Sequence, residues 1–196
     1  VVLGQAIFEL ALPARCVGCR AAGAGICASC RRGLEPAPGG PTPPGLDWLV
    51  ASYAYAGAAR QAVTRIKYRN ERAVLAILAR AVAAAVRAGP GVAGIGVVTW
   101  PATTAARRRS RGFDQAHLLA RGVARELGLP AVELLRRSDE AAVQQTGRDL
   151  AARTTAGPEF SVTRALSPRS TRVGGVLLVD DVMTSGATLA AAARAL

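Results

Sequence analysis

Two adjacent carboxylates, Asp180 and Asp181, directly follow an apolar run near the end of the sequence. Residues 176–179 are all apolar and Gly174-Gly175 precedes them, which predicts a strand buried on both faces, as in a parallel sheet. The carboxylates would lie at the carboxyl end of this strand, where open α/β sheets bind their ligands. Carboxylates in that place could bind the hydroxyl groups of a sugar or a divalent cation.

A loop of small residues follows the carboxylates and leads into an alanine-rich helical pattern. Its members are Thr184, Ser185, Gly186, Ala187 and Thr188. Hydroxyl groups and closely spaced backbone N–H groups bind anions, and a glycine lets a ligand approach the main chain. The dipole of the following helix would stabilise the same anion by about 0.3–1 kcal/mol. A sugar phosphate would satisfy both the carboxylates and this loop, whereas a turn without chemical significance is the simpler alternative.

An arginine-rich loop follows a second predicted buried strand, residues 95–99. Its arginines are Arg107, Arg108, Arg109 and Arg111. Because the carboxyl ends of parallel strands meet at one edge of a sheet, this loop would face the carboxylates and the small-residue loop. Planar guanidinium groups bind phosphate oxygens in pairs, so these side chains are candidates to hold a pyrophosphate group. A solvated basic surface is the alternative.

All four cysteines lie in one short window as two C-x-x-C motifs. They are Cys16, Cys19, Cys27 and Cys30. This spacing is typical of a closed, structural zinc site, in which all four ligand positions are occupied by thiolates. Two disulfides are the alternative, but the chain start shows no secretory signal, and cytosolic thiols stay reduced. We therefore expect a cytoplasmic protein with a structural Zn²⁺, whose cysteine segment does not fold without the metal.

The length allows one sizeable core, or one core and a small additional module. The chain has 196 residues and a formal net charge of +12, which suggests a polyanionic partner, either nucleic acid or phosphorylated metabolites. No apolar run is long enough to span a membrane, so membrane insertion is not expected. The sequence predicts three parts: residues 1–34 with the cysteines, a Pro- and Gly-rich linker at 35–46, and a domain at 47–196.

Strand and helix patterns alternate along the third part, which favours an α/β fold with a parallel sheet. Besides the two strands above, a strand is predicted at 48–55 and a short one at 131–135. Helices are predicted at 58–68, 72–86 and 113–127, and the arginine-rich segment 100–111 is predicted as a loop. A long polar stretch covers residues 136–158.

The carboxylate pair and the loop after it closely resemble the ribose-phosphate-binding signature of the type I phosphoribosyltransferases. The resemblance implies a parallel-sheet α/β domain of that type, with a small N-terminal zinc-knuckle module before it. It implies that Asp180 and Asp181 bind the ribose hydroxyls of phosphoribosyl pyrophosphate and that residues 184–188 bind its 5′-phosphate. It also implies that Mg²⁺ accompanies this ligand and that the four arginines neutralise the leaving pyrophosphate.

The chain as a whole resembles the ComF-type competence proteins. This resemblance rests on the paired C-x-x-C motifs and on the segments Ile66-Lys67-Tyr68, Arg111-Gly112-Phe113-Asp114-Gln115 and Gln145-Thr146-Gly147-Arg148-Asp149-Leu150, followed by the Asp180-Asp181 loop. It implies phosphoribosyl transfer to an unknown acceptor, in a role linked to DNA uptake. The family usually has Asn in place of Asp114 and continues beyond the position of Leu196, so a truncated carboxyl terminus is expected.

Gln145, Arg148 and Arg153 lie in the long polar stretch, which in this superfamily can close over the active site, and we predict a lid there. His117 is expected on a helix face rather than as a catalytic base. Two other functions stay open at this point. One is a non-catalytic module that binds single-stranded DNA or a DNA-uptake helicase, and the other is a sensor of phosphoribosyl pyrophosphate. The sequence does not determine the acceptor or the oligomeric state.

Overall fold

Short helices and two small pairs of strands make up the part of the chain that the computed structural model describes, residues 15–23, 25–69, 74–137, 158–163 and 174–196. The helices are α1 (Ala28–Arg32), α2 (Gly57–Arg69), α3 (Leu75–Arg87), α4 (Ala105–Arg111), α5 (Gln115–Leu127) and α6 (Ala187–Ala195). The strands are β1 (Ile95–Thr99), β2 (Leu135–Arg137), β3 (Phe160–Val162) and β4 (Gly175–Leu178). No helix among these residues is long and apolar enough to cross a membrane.

Strands β1 and β4 run parallel, as the apolar runs predict. Val98 lies opposite Leu177, and the ladder continues past β4 because the N–H of Val179 donates to the carbonyl of Thr99 at 2.9 Å. On the other edge of β1, Ala131 forms a parallel bridge with Val98. Strand β1 therefore lies in the middle of three parallel segments, and the predicted α/β fold with parallel pairing is confirmed.

Helices α3 and α5 pack against each other and cover this parallel pair with apolar side chains. Ala79 and Ala83 of α3 are almost fully buried, and so are Ala120 and Val123 of α5. The two helices approach closely because Gly122 has no side chain: a Cβ built there would lie 2.7 Å from Cβ of Ala79. Small residues thus determine the spacing of the helices, and the core lies between them and β1.

The second strand pair is antiparallel and is tied to the end of β1. Strand β2 pairs with β3, with Leu135 opposite Val162. The backbone N–H of Leu134 donates to the hydroxyl oxygen of Thr99 at 3.2 Å, and both groups are buried. Strand β3 also lies beside α6. This pair places the end of β2 next to the carboxyl edge of the parallel strands.

Two predicted elements are different in the structure. The alternating segment 48–55 forms no strand, since Trp48 and Val50 pack their side chains against the core without backbone pairing. The arginine-rich segment contains helix α4 instead of being entirely a loop. Its first turn is capped by Thr104, whose hydroxyl oxygen accepts from the N–H of Arg107 at 3.2 Å, and it ends at Gly112 with φ +75°.

Two strand predictions hold only in part. The predicted strand 131–135 is reduced to the single bridge at Ala131, and regular pairing begins at Leu135. In β4, Leu177 is buried, but Val176 is 41% exposed. Strand β4 is therefore not buried on both faces along its whole length, as the uninterrupted apolar run predicts.

The cysteine segment packs directly on the rest of the described chain. Val17 and Ile26 form an apolar cluster with Ile66 of α2 and with Phe113. The guanidinium of Arg65 also donates to the carbonyl oxygen of Cys16 at 3.1 Å. These contacts join the cysteine segment to α2, while the proposed division of the chain at 34 and 46 stays a prediction.

Candidate functional site

The two carboxylates Asp180 and Asp181 lie just beyond the carboxyl end of β4 and are half-buried. The carboxylate of Asp180 accepts from the backbone N–H of Asp181 at 2.8 Å, which orients the first side chain relative to the main chain of the second. Because β1 and β4 are parallel, the segment that follows Thr99 lies at the same edge. Ligand sites of open α/β sheets form at such edges.

A cleft of about 180 Å³ opens at this edge of the parallel strands. It brings together predicted site residues from three separate segments: Arg107 and Arg111 of α4, Asp180 and Asp181 after β4, and Thr188 of α6. Its other lining residues are Pro101, Ala102, Thr103, Asp114, Gln115, Ala116, Arg137 and Val182. The cleft therefore combines guanidinium groups with carboxylates, a pairing suited to a ligand that carries both anionic groups and hydroxyls.

Other predicted residues lie beside the cleft rather than in its lining. Arg108 and Arg109 are exposed on α4, and Thr184, Ser185 and Ala187 are exposed in the loop before α6. That loop reaches the cleft through Thr188. The lid candidates Gln145, Arg148 and Arg153 lie outside the described residues.

The small-residue loop has the backbone form that its glycine predicts. Gly186 adopts φ +76° at the amino-terminal cap of α6, and the N–H of Ala187 donates to the hydroxyl oxygen of Ser185 at 3.4 Å. A Cβ on Gly186 would lie 2.8 Å from Cγ of Pro43, which is buried. The Pro- and Gly-rich segment thus supports the loop from behind. The spacing of the motif does not predict this contact.

Asp114 joins the loop after β1 to the start of α5. One carboxylate oxygen accepts from the N–H of His117 at 3.2 Å, and the other accepts from the N–H of Thr103 at 2.9 Å. The hydrogen bond to His117 caps the amino terminus of α5, and the hydrogen bond to Thr103 fixes that residue in the wall of the cleft. The ring of His117 stacks on Trp100 with centroids 4.4 Å apart, which is a packing role on the helix face.

Two further cleft residues, Gln115 and Arg137, are absent from the candidates that the sequence suggests. Gln115 is 4% exposed, and its side-chain oxygen accepts from the guanidinium of Arg111 at 3.2 Å. Arg137 ends β2, and its guanidinium carbon lies 5.9 Å from the ring centre of Phe160. Gln115 belongs to the segment Arg111-Gly112-Phe113-Asp114-Gln115, on which the family resemblance rests in part, and Arg137 lies two residues after the predicted strand 131–135. Position was therefore a signal for both, although neither was identified as a ligand residue.

The four cysteine sulfurs form a compact cluster in which each lies within 4.8 Å of the others. Sγ of Cys19 and Sγ of Cys27 are 3.6 Å apart, and no disulfide joins any of the four. A tetrahedral zinc ion with bonds of about 2.3 Å separates its sulfur ligands by just under 4 Å. The donor set and its spacing therefore fit a structural zinc ion, and the disulfide alternative is not supported.

Backbone N–H groups stabilise a negative charge in this cluster, which favours binding of a cation. Burial alone would raise the pKa of Cys16, but N–H groups of Cys27, Cys19 and Gly18 directed at its sulfur lower it to about 6. Burial and hydrogen bonds with the other thiols raise the pKa of Cys30 to about 12. At neutral pH the metal-free cluster therefore holds a thiolate at Cys16 beside a thiol at Cys30, and zinc binding would displace the proton of Cys30.

Residues 114–196 match the family model described as phosphoribosyl transferase domain. The matched segment begins at the α5 cap and includes Asp180, Asp181 and the loop before α6. The match supports a domain of the type I phosphoribosyltransferase type in this part of the chain. Comparison with curated proteins and with solved structures gives no match. The architecture is thus an α/β domain of the phosphoribosyltransferase type that follows a four-cysteine cluster able to form a zinc knuckle.

Proposed function

We propose that the protein binds phosphoribosyl pyrophosphate with Mg²⁺ in the cleft and transfers the phosphoribosyl group to an acceptor. One observation carries the proposal: Asp180, Asp181 and Thr188 line the same cleft as Arg107 and Arg111, within or beside the segment that matches the transferase domain. In the reaction, the bond from ribose C1 to a pyrophosphate oxygen breaks. The acceptor atom bonds to C1 and loses its proton to solvent.

The carboxylates and the small-residue loop would hold the two ends of the ribose phosphate. Asp180 and Asp181 would accept hydrogen bonds from the ribose hydroxyls, since ionised carboxylates are strong acceptors. The hydroxyls and N–H groups of residues 184–188 would bind the 5′-phosphate at the start of α6. Mg²⁺ bound together with the ligand would supply positive charge that offsets the charge of the pyrophosphate. Catalysis then comes from positioning and from stabilising charge that develops as the bond breaks.

The arginines of α4 would stabilise the departing pyrophosphate. Arg107 and Arg111 line the cleft, and guanidinium groups bind phosphate oxygens in pairs. Arg108 and Arg109 are exposed on the same helix and would raise the positive potential that attracts the ligand. The lid proposed for Gln145, Arg148 and Arg153 would exclude water once the ligand is bound.

The test is release of pyrophosphate from phosphoribosyl pyrophosphate and Mg²⁺, measured across a panel of nucleobases and amines. A turnover signal that requires one acceptor and disappears in Asp181→Asn supports transfer. If the protein binds the ligand saturably but shows no turnover with any acceptor, the result would indicate a sensor of this ligand instead of an enzyme. Failure of the folded, zinc-loaded protein to bind the ligand at all would contradict the proposal.

We extend the proposal to a ComF-type role in the cytoplasm that is linked to DNA uptake. Its support is the order of parts, a four-cysteine cluster before the transferase domain. Direct binding of single-stranded DNA, or of a helicase, would be a further part of that role. Stacking surface for DNA is small, since Tyr55 alone is exposed among the aromatic side chains that the structure describes. An affinity for single-stranded DNA that falls steeply with salt concentration would support direct DNA binding, and no measurable affinity would exclude it.

A further inference from the structure

Gln115 holds a buried polar group that no described residue binds. The residue lines the cleft and is 4% exposed, yet its amide nitrogen Nε2 is buried and has no hydrogen-bond partner among the described residues. Buried donors are almost always paired in folded proteins, because leaving one unpaired costs free energy. An unpaired donor beside a ligand cleft therefore indicates that the bound ligand supplies its hydrogen-bond acceptor.

The contact with Arg111 determines which way the carboxamide points. Its guanidinium donates to Oε1 of Gln115 at 3.2 Å, and a guanidinium has no acceptor to offer. The oxygen of Gln115 must therefore face Arg111, and the amide nitrogen must face away from it. The carboxamide therefore lies next to an arginine that lines the cleft, and its buried Nε2 would become accessible to a ligand when the side chain of Arg111 turns toward that ligand.

The backbone around Gln115 holds this donor in place. Gln115 is the first residue of α5, directly after Asp114, whose carboxylate is bonded to two backbone N–H groups. The next residue, Ala116, is buried in the core. A side chain anchored in this way loses little conformational freedom when a ligand binds, which favours binding by preorganised groups.

We propose that Nε2 of Gln115 donates a hydrogen bond to an oxygen of the pyrophosphate group of the bound ligand, side by side with Arg111. The inference rests on the proposed function and deepens it. The donor adjoins an arginine on the side of the cleft formed by α4 and α5, whereas the ribose carboxylates follow β4. A neutral donor beside a guanidinium suits an oxygen-rich anion, and Gln115 would thus bind the leaving group rather than the ribose.

The test compares Gln115→Met, which keeps the length of the side chain and removes its polar atoms, with Gln61→Met on the exposed surface of α2. Affinities of the zinc-loaded proteins are measured for phosphoribosyl pyrophosphate, inorganic pyrophosphate and ribose 5-phosphate, each with Mg²⁺. We expect Gln115→Met to weaken the first two by about ten- to a hundredfold, the range for a hydrogen bond to a charged group. Ribose 5-phosphate should bind as to the unchanged protein, and Gln61→Met should alter none of the three.

The unfolding temperature without ligand separates this role from a structural one. Gln115→Met removes the unpaired donor together with the acceptor that Arg111 uses, and since the half-buried guanidinium of Arg111 can bond to water instead, the unfolding temperature should stay within about two degrees of that of the unchanged protein. A fall of several degrees, unchanged affinity for pyrophosphate, or an equal loss for ribose 5-phosphate would each overturn the inference. Gln115→Glu keeps the acceptor for Arg111 but replaces the donor with an oxygen, and it should weaken pyrophosphate binding further. If the unchanged protein binds no phosphoribosyl pyrophosphate, the proposed function itself fails.

Discussion

At the scale of single residues, Asp114 carries two backbone contacts that only a carboxylate can satisfy together. Each of its oxygens accepts from a backbone N–H, one on Thr103 and one on His117. An asparagine offers one acceptor oxygen, and its NH₂ group would meet the other N–H donor. The carboxylate of Asp114 is therefore matched to the two backbone donors that surround it.

Asp114→Asn should consequently lower the free energy of unfolding by about 1–2 kcal/mol, because one partly buried N–H loses its acceptor. Urea unfolding of the zinc-loaded protein measures the change. Asp47→Asn, at an exposed position, is the matched control and should have no effect. Equal stability of the two variants would show that one of the two hydrogen bonds at Asp114 does not contribute.

At the scale of elements, the loop before α6 depends on a glycine for two separate reasons. Gly186 adopts φ +76°, and its missing Cβ leaves room for the ring of Pro43. Gly128 has nearly the same φ, +71°, but no atom lies within 4 Å of the Cβ position there. The two glycines therefore separate the cost of the backbone conformation from the cost of the close contact.

Gly128→Ala should destabilise the protein by about 1–2 kcal/mol, the cost of a left-handed conformation for a residue with a Cβ. Gly186→Ala should have this cost and a further one, since the rigid ring of Pro43 must move. Thermal and urea unfolding of both variants measure the difference. We also expect Gly186→Ala alone to weaken binding of phosphoribosyl pyrophosphate. Equal effects of the two changes would contradict the role of Pro43 as a support of the loop.

Elements with a strong local pattern could be predicted from the sequence, and those determined by distant contacts could not. The apolar runs of β1 and β4 identified the parallel pair, and their carboxyl ends identified the cleft edge. Alternation at 48–55 suggested a strand, but Trp48 and Val50 pack against the apolar core there without strand pairing. The run of arginines was interpreted as a loop, so the short helix α4 was not predicted. The local signal for this helix is its amino-terminal cap, Thr104.

One turn and one distant contact account for the part of the candidate site that the sequence did not reveal. Gln115 meets Arg111, four residues earlier, because the turn at Gly112 joins α4 to α5, and Arg137 reaches the cleft because Leu134 is hydrogen-bonded to Thr99. The apolar patterns that identify strands and helices predict neither contact. The roles of the predicted site residues themselves stay predictions until a ligand is tested.

At the scale of the whole molecule, the cysteine cluster shares an apolar core with the helix α2. Val17 and Ile26 pack with Ile66 and Phe113, and Phe113 lies between α4 and the cap of α5. Structural zinc sites of this kind contribute about 10–16 kcal/mol to the folding of their segment. Loss of the metal should therefore affect the stability of more than the cysteine segment.

Removal of zinc by a chelator should lower the unfolding temperature of the whole protein and release one zinc per chain, measured by calorimetry and atomic absorption. The substitution Cys30→Ser removes a ligand, so that variant should already be destabilised and should respond no further to chelator. A purified, reduced protein without zinc, or one whose unfolding is unchanged by chelator, would contradict a structural metal site.

The central claim, that the cleft binds phosphoribosyl pyrophosphate, is tested most directly by calorimetric titration of the zinc-loaded protein with this ligand and Mg²⁺. The matched control is the double variant Asp180→Asn/Asp181→Asn, which keeps the size of both side chains and removes their charges. We predict saturable binding to the unchanged protein and a loss of about a hundredfold or more in the variant, since two charged hydrogen-bond acceptors are removed. No heat of binding in folded, metallated protein, or equal binding by the variant, would contradict the account.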